Sequence, residues 1–521
     1  MPTAEKKTGI ETKLNELTEK RAQLMEGGGK ARLDKQHQSG KLTARERITR
    51  LIDTNSFQEI GLFAKHHATL FGMADKELPA DGVVTGAATV DGRLVHLASQ
   101  DFTVGGGAAG EVHSEKVAEM MRYSLKTGSP FVFINDSGGA RVQEGINSLA
   151  GYGRVFYMNV MLSGVVPQVS LICGPCAGGA AYSPALTDFI IQTKGAQMFI
   201  TGPSVIKQVT GEIVTPEQLG GPAAQMTYSG VVHFIAENDE DATFICRRLL
   251  SFLPSNNLED PPRVPYDGPL DPDPAMNTIV PDEGKVAYDM HQVIAGLVDQ
   301  GDFLEVQPSF AQNILIGFGR VAGRTVGIIA NQPAVLAGAL DINASDKASR
   351  FIRFCNAFNI PLLTLVDVPG FMPGVQQEYG GIIRHGAKLL FAYSAATVPK
   401  VTVIVRKAYG GAYLAMCGKD LGADRVVAWP TAEVAVMGAE GAVEVVFRKE
   451  ISEAEDKSGR RKELINLYRD TFSNPYVAAG ARLVDDIVEP SHTRRYLAMA
   501  FEALQTKREL RPAKKHGLMP L

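Results

Sequence analysis

The residues best placed to do chemistry in this chain are glycines. Arg406-Lys407-Ala408-Tyr409-Gly410-Gly411-Ala412-Tyr413 follows an apolar, strand-like run at 401–405 and opens a segment that can continue as a helix. A strand that feeds a glycine pair and then a helix leaves backbone N–H groups free at the turn. Such donors suit an oxygen that gains negative charge during a reaction. An earlier stretch, Ala177-Gly178-Gly179-Ala180-Ala181-Tyr182, repeats the pattern after Val169-Ser170-Leu171-Ile172.

Side-chain chemistry is thin by comparison. Gly105-Gly106-Gly107-Ala108-Ala109-Gly110 fits G-x-G-x-x-G in form and runs into a helix-like stretch at 112–123. No acidic residue ends a second strand at the right distance, so a phosphate or acyl-CoA contact suits this helix start better than a dinucleotide site. Cys173-Gly174-Pro175-Cys176 has redox or half-zinc spacing, but no second C-x-x-C exists and Cys246, Cys355 and Cys417 are isolated. Small packed thiols are the default reading. The chain holds no Gly-x-Ser-x-Gly elbow, His-Glu-x-x-His helix or Walker A loop. Its ten histidines show no ligand spacing, and His385 fits solvent or substrate equally well. Chemistry here has to lean on backbone donors more than on a side-chain base. Forming an enolate beside a thioester fits that description, because it needs an oxyanion hole. Two domains with one hole each could hold two carbonyl-bearing reactants face to face, with proximity supplying much of the rate.

The elements around these turns read as α/β. With 521 residues, 45% apolar and 21% charged, the chain suits about two large domains, and its 53 glycines predict many tight turns. A formal charge of −4 and the lack of a basic stripe argue against nucleic-acid binding. No apolar run approaches the roughly 20 residues of a membrane span. The N-terminus lacks a signal-peptide core and five scattered cysteines make no disulfide framework, so a cytoplasmic protein is expected. The spacing predicts an amphipathic helix over 10–25 and a capping-box helix starting at Thr43 with Glu46. Strands are expected at 82–85, 94–98 and 131–134, and a helix at 146–162, ahead of the first glycine pair. The basic end, 511–516, reads as a solvated tail.

Residues 254–281 are rich in proline and read as an extended linker, and after them the texture of the first half returns. Asp136 and Asp367 lie 367 − 136 = 231 positions apart. The same offset aligns Arg93 with Arg324, Ser114 with Ser345, Lys116 with Lys347, Gly139 with Gly370, Gly179 with Gly410 and Tyr182 with Tyr413. Two homologous α/β domains are therefore expected, at 1–253 and 282–521.

These residues carry a family resemblance. Lys41-Leu42-Thr43-Ala44-Arg45-Glu46-Arg47, Ser99-Gln100-Asp101-Phe102-Thr103, Asn135-Asp136-Ser137-Gly138-Gly139-Ala140-Arg141, the run 174–184, Asp367-Val368-Pro369-Gly370-Phe371, Gln376-Gln377-Glu378-Tyr379-Gly380-Gly381 and the run 406–413 resemble the carboxyltransferase subunits of biotin-dependent acyl-CoA carboxylases. The resemblance spans nearly the full length and is strongest to the propionyl-CoA carboxylase, methylmalonyl-CoA transcarboxylase and methylmalonyl-CoA decarboxylase branches. It implies two crotonase-like domains in tandem, the first binding acyl-CoA and the second biotin. It implies a homohexamer, with each site between the first domain of one subunit and the second domain of its neighbour. Ala140 and Gly178-Gly179-Ala180 match the hole for the thioester oxygen; Phe371 and Gly410-Gly411-Ala412 match the hole for the biotin ureido oxygen. Gly105, Gly106, Gly107, Ser137, Gly138, Gly139, Tyr182 and Leu414 are the candidate substrate contacts. In the implied mechanism carboxybiotin loses CO2, its ureido nitrogen takes the acyl α-proton and the enolate attacks CO2.

The chain lacks a biotinyl Ala-Met-Lys-Met motif and an ATP-binding half, so a biotin carrier protein, with a biotin carboxylase behind it, is the expected partner; no metal is expected. One departure concerns the branch. Propionyl-CoA carboxylase subunits commonly carry Asp where this chain has Leu414, which resembles the transcarboxylase and decarboxylase branches. A crotonase-like hydratase or hydrolase and a non-catalytic scaffold for a biotinyl protein are the readings from other classes. On the first reading, Gly411→Val is expected to displace the donor backbone on the biotin side.

Overall fold

The sheet of the first half starts antiparallel and becomes parallel at its centre, among the strands that lead into the glycine turns. In the computed structural model, which describes residues 9–281, 283–284 and 286–521, β1 (Gln58–Ile60), β2 (Val83–Val90) and β3 (Arg93–Gln100) pair antiparallel. β4 (Phe131–Ser137), β5 (Gln168–Ala177), β6 (Phe189–Thr193) and β8 (Phe234–Ala236) add in parallel, and β7 (Gln197–Phe199) lies beside the end of β5. Every residue of β4 is buried, which is why its first four, Phe131-Val132-Phe133-Ile134, read as an apolar run and not as an alternation. Helices α4 (Glu111–Thr127) and α5 (Ile146–Leu162) cover it, with Val117, Met120, Met121, Val155 and Leu162 packed in one cluster with Phe131 and Phe133. α4 stops at Gly128, whose φ of 63° closes it in the left-handed conformation.

Three helices precede the sheet: α1 (Gly9–Met25), α2 (Lys30–Gln38) and α3 (Ala44–Leu51). The Thr43–Glu46 capping box forms in both directions. α1 is helical, yet none of its residues is buried, and Ile10 is 63% exposed. α2 lies outside the sequence expectation because its polar run, KARLDKQHQ, carries no apolar period.

The second half repeats the plan: β9 (Leu304–Val306), β10 (Ile314–Val321), β11 (Arg324–Asn331), β12 (Leu362–Val368), β13 (Lys400–Tyr409), β14 (Arg425–Ala428) and β16 (Asp486–Ile487) follow in the same order, with β15 (Glu433–Ala435) beside β13. The starts of β2, β3 and β4 map onto β10, β11 and β12 at 231 (83 + 231 = 314, 93 + 231 = 324, 131 + 231 = 362). β5 maps onto β13 at 232 (168 + 232 = 400), because the connection between the two middle strands is one residue longer in the second half. This corrects the alignment of Gly179 with Gly410 and Tyr182 with Tyr413. Gly178 and Gly410 are equivalent, with φ of 62° and 59°. Ala181 and Tyr413 are both 6% exposed, and half-exposed Tyr182 corresponds to half-exposed Leu414.

The aligned lysines are explained by packing. Lys116 donates to the carbonyls of Ala80 (2.6 Å) and Val83 (2.5 Å), and Lys347 to those of Phe310 (2.7 Å) and Ile314 (2.8 Å). Burial pulls both ammonium groups down to about 8. Each pins a left-handed turn, at Ala80 (φ 51°) and Ala311 (φ 43°), to the helix that carries it.

The chain divides into two compact units, Met1–Asn257 and Leu258–Leu521. Within the proline-rich segment, Val264 N–H donates to Gly323 O (2.9 Å) and Met276 is in the core of the second unit. The basic end is also laid on that unit: Arg511 donates to Ala396 O (3.3 Å), while Lys514 and Lys515 remain exposed.

Candidate active site

In the first unit β4 and β5 run in register as far as Asn135 and Ile172, and their next pair is Ser137 with Cys176. β5 therefore advances four residues while β4 advances two, and Cys173-Gly174-Pro175 forms a bulge. Beyond that pair both chains turn. Ala140 is 140 − 137 = 3 residues on, and Gly179 is 179 − 176 = 3 residues on, so the two leave neighbouring strands at the same level.

Ala140 makes a single parallel bridge with Ala109. The bridge uses the Gly139 C=O and the Arg141 N–H, both at 2.9 Å, so the Ala140 N–H faces the other way. Gly178 opens a tight turn, Gly178–Ala181, whose first N–H groups have no partner inside it. No protein acceptor among the described residues takes the Ala140 or the Gly179 N–H. The Tyr152 ring lies 3.6 Å from where a Cβ on Gly179 would stand, flooring the turn.

The Gly105–Gly107 turn is stitched to the same place. Gly138 N–H donates to Gly106 O (2.9 Å), Ser137 Oγ to Gly107 O (2.7 Å) and Gly139 N–H to Ser137 Oγ (3.1 Å). Ser137 is fully buried with its hydroxyl committed to this stitching, and it acts on the site through the loop it holds. A Cβ on Gly107 would run into the Asp136 carbonyl, whereas one on Gly106 would meet nothing within 4 Å.

The second unit reproduces the arrangement. Val366 pairs with Ile404 and Val368 with Ala408, again across a bulge. Phe371 (371 − 368 = 3) and Gly411 (411 − 408 = 3) leave the two strands at one level. Phe371 bridges Leu340 through the Gly370 C=O (3.1 Å) and the Met372 N–H (2.8 Å), which leaves its own N–H turned away. Its ring packs on Gly386, where a Cβ would come within 2.9 Å. Leu336 and Ala337 stand where the first unit has Gly105 and Gly106, both at positive φ (48° and 53°). Only Gly338 is kept, against the Asp367 carbonyl. The first two glycines of the first unit thus have no local steric cause: a Cβ on Gly105 would make an ordinary contact with Leu78 (3.4 Å), and Gly106 borders open space.

That geometry corrects the reasoning for Gly411→Val. A Cβ on Gly411 meets nothing within 4 Å and its φ is not positive, so the backbone can stay where it is. The expected result is an unfolding transition within about 0.5 kcal/mol of wild type, as for a surface substitution, with turnover lost because isopropyl fills the space in front of the N–H. Thermal unfolding beside a turnover assay checks this; a large loss of stability would mean that the turn, and not the space, is what the residue controls.

Among side chains near the turns, the histidines and cysteines are engaged or buried. His385 Nδ1 lies 2.8 Å from Asp346, which also takes Lys388 (2.8 Å). His113 is held neutral: burial, with Arg141 beside it, pulls it down to about 3. Cys173 and Cys176 are buried, and burial pushes the Cys176 thiol up to about 12, opposite to what a reactive thiolate needs. The residues that sequence reasoning left without a role are the buried carboxylates. Asp136 accepts Lys41 (2.8 Å), Arg47 (2.9 Å) and Gln36 (3.1 Å), and Asp367 accepts Arg406 Nε (3.0 Å) and the Lys407 N–H (3.1 Å). Burial pushes the Asp367 carboxyl up, against the pull of Arg406. Their alignment at 231 was the one signal that could have drawn attention to them.

The geometry is thus two matched pairs of backbone donors, each able to take one developing oxyanion. Known proteins resemble the chain over nearly its whole length. The Carboxyl transferase domain family matches residues 35–519. The methylmalonyl-CoA carboxyltransferase 12S subunit of Propionibacterium freudenreichii subsp. shermanii is 60% identical over 511 residues, 98% of each chain. The methylmalonyl-CoA decarboxylase subunit alpha of Veillonella parvula is 56% identical, over 98% of this chain and 99% of that one. A crystal structure of transcarboxylase 12S, described as a hexamer with methylmalonyl-coenzyme A bound, superimposes with a TM-score of 0.97 at 59% identity over 100% of both chains. The chain, two crotonase-like α/β domains in tandem, belongs to the carboxyl transferase family.

Proposed function

We propose that this chain moves a carboxyl group between carboxybiotin on a carrier protein and the α-carbon of a short acyl-CoA, the propionyl-CoA/methylmalonyl-CoA couple. The observation that carries the reading is the duplicated donor pair, Ala140 with Gly179 and Phe371 with Gly411, each three residues beyond a register pair on adjacent strands. In the first unit the N–H groups of Ala140 and of Gly179, in the Gly178-Gly179-Ala180 turn, hold the thioester oxygen, so that charge passing onto it as the α-proton leaves is met by preoriented dipoles. Gly105, Gly106 and Gly107, with Gly138 and Gly139, offer a surface without side chains along which the pantetheine can approach. Tyr182 is half-exposed beside the first turn and suits a contact with the acyl group, and Leu414 is half-exposed at the equivalent place beside the second turn. No described side chain is needed as base.

Biotin, delivered by a partner, would supply the carboxyl group and the acceptor for the α-proton. Phe371, Gly410, Gly411 and Ala412 fit its ureido oxygen, because the N–H groups are turned outward and the space before Gly411 is empty of protein atoms within 4 Å. The division of labour assigns 1–253 to acyl-CoA, 282–521 to biotin and 254–281 to the connection. A homohexamer in the cytoplasm, served by a biotin carboxyl carrier protein and a biotin carboxylase, is the assembly this reading implies. Among the described residues no helix is long and apolar enough to cross a membrane. The same half-reaction serves a transcarboxylase or a sodium-pumping decarboxylase, and Leu414 matches those branches.

Mixing the full chain with free biotin and methylmalonyl-CoA tests the reading. Biotin-dependent loss of the carboxyl group, yielding propionyl-CoA, is the expected result. Binding of the CoA ester with no such loss would overturn carboxyl transfer and leave the hydratase or scaffold readings.

A further inference from the structure

Each unit buries, beside its bulge, a carboxylate that the chemistry above does not use, Asp136 at 0% and Asp367 at 1% exposure. We propose that these two are positioning residues: each clamps the bulge of the neighbouring strand and so fixes the direction of the backbone donors a few residues further on. The kinetic part of this proposal rests on the carboxyl-transfer reading.

The attachments of each residue point in three directions. Backwards, its own N–H is held by an amide on the preceding strand, Gln100 Oε1 for Asp136 and Asn331 Oδ1 for Asp367, both at 3.2 Å. Upwards, its carbonyl lies against the glycine of the loop, Gly107 or Gly338, too closely for any Cβ. Sideways, the carboxylate reaches the bulge. Asp367 takes both the Lys407 N–H and the Arg406 Nε of the bulge itself. Arg406 is fixed in turn, donating to Val286 O (2.8 Å) and lying 4.9 Å from the Tyr288 ring centroid. Gly410 follows Lys407 by 410 − 407 = 3 residues.

The first unit reaches the same end with different parts. At the offset of 232, Arg406 corresponds to Gly174 and Lys407 to Pro175, which has no N–H. The carboxylate of Asp136 lies directly over Gly174, where a Cβ would overlap both Asp136 and Lys41. Its cations arrive from the N-terminal segment, Lys41 between α2 and α3 and Arg47 on α3. The carboxylate is common to both halves and the source of its counter-charge is not. A buried ion pair is a weak contributor to stability, often replaceable by apolar side chains at no loss. Two of them at equivalent positions beside equivalent turns point to orientation as what they secure.

The test uses the full-length chain with Asp367→Asn, Asp136→Asn and the conservative Arg406→Lys. In the free-biotin assay Asp367→Asn is expected to cut kcat about tenfold or more and to raise KM for biotin, while methylmalonyl-CoA binding by calorimetry is unmoved. Asp136→Asn should cut kcat with KM for biotin unmoved, and Arg406→Lys should fall between wild type and Asp367→Asn. If the variants merely lower the folded fraction, with full activity per folded chain, the proposal is overturned. If Asp367→Asn does not fold, Arg406→Lys decides, and an unmoved KM for biotin overturns the proposal. If wild type itself shows no biotin-dependent turnover, the carboxyl-transfer reading has failed. Amide hydrogen exchange then judges the clamp: faster exchange at 410–412 in Asp367→Asn, with β12 unchanged, supports it, and equal exchange overturns it.

Discussion

Arg47→Met is expected to destabilise the first unit by about 3–5 kcal/mol, the range for removing one partner of a buried charge pair. Arg47 is 1% exposed and each guanidinium nitrogen is engaged: Nε on Asp239 (2.7 Å), Nη1 on Asp136 (2.9 Å) and Nη2 on Cys173 O (3.2 Å). Methionine fills most of the volume but leaves two buried carboxylates and one carbonyl short of a donor, and each such loss is costly in a dry interior. Lys41 and Gln36 still reach Asp136, and the Leu42 N–H still reaches Asp239 (2.9 Å), which keeps the cost within that range. Arg47→Lys keeps the charge and should cost less. Chemical denaturation followed by hydrogen exchange separates the units: β4 and β5 should lose protection at lower denaturant while β12 and β13 keep theirs. An unchanged midpoint would mean that α3 is an accessory to the first unit and not part of its site.

Arg47 also marks where reading the sequence stops. The capping box at Thr43 and Glu46 was legible because its partners are three residues apart and its chemistry is local. The 131–134 run of β4 was legible because that part of the strand is buried on both faces and apolar at every position. The role of Arg47 was not, since Asp136 and Asp239 lie 89 and 192 positions away and no periodicity links them. The duplication was legible in outline and wrong by one residue at its most interesting point. At 231 Gly179 meets Gly410 and Tyr182 meets Tyr413; at 232 Gly178, Gly179 and Ala180 meet Gly410, Gly411 and Ala412. Repeated glycines satisfy both registers, and only backbone angles and burial choose between them. The slip also hid that Gly174 and Arg406 are equivalent, a mismatch in letters that the structure resolves as two routes for bringing positive charge to one carboxylate.

Gly410→Val is expected to lower biotin-dependent turnover by ~10²–10³-fold, the loss associated with removing one oxyanion donor, while acyl-CoA binding stays as in wild type. Gly410 sits at φ 59°, and a Cβ there would stand 3.0 Å from the Val436 carbonyl. Positive φ alone does not forbid a side chain in this fold: Leu336 and Ala337 adopt 48° and 53°. What differs at Gly410 is the carbonyl, which belongs to backbone and cannot swing aside, and valine, whose branch at Cβ makes left-handed backbone more strained still. The chain must therefore move at the residue that aims the Gly411 and Ala412 N–H groups. Gly178, its equivalent, has φ 62° but only a 3.9 Å approach to Ile200 O. Gly178→Ala should accordingly cost less than Gly410→Ala, a ranking that glycine content alone does not predict. Turnover with free biotin, calorimetric titration with methylmalonyl-CoA and thermal unfolding, run on the same preparations, separate the cases. Loss of turnover with intact CoA binding supports a biotin-side hole at Gly410-Gly411-Ala412. An equal loss of CoA affinity would show that the second unit also holds the acyl-CoA, and would overturn the division of labour between the two turns.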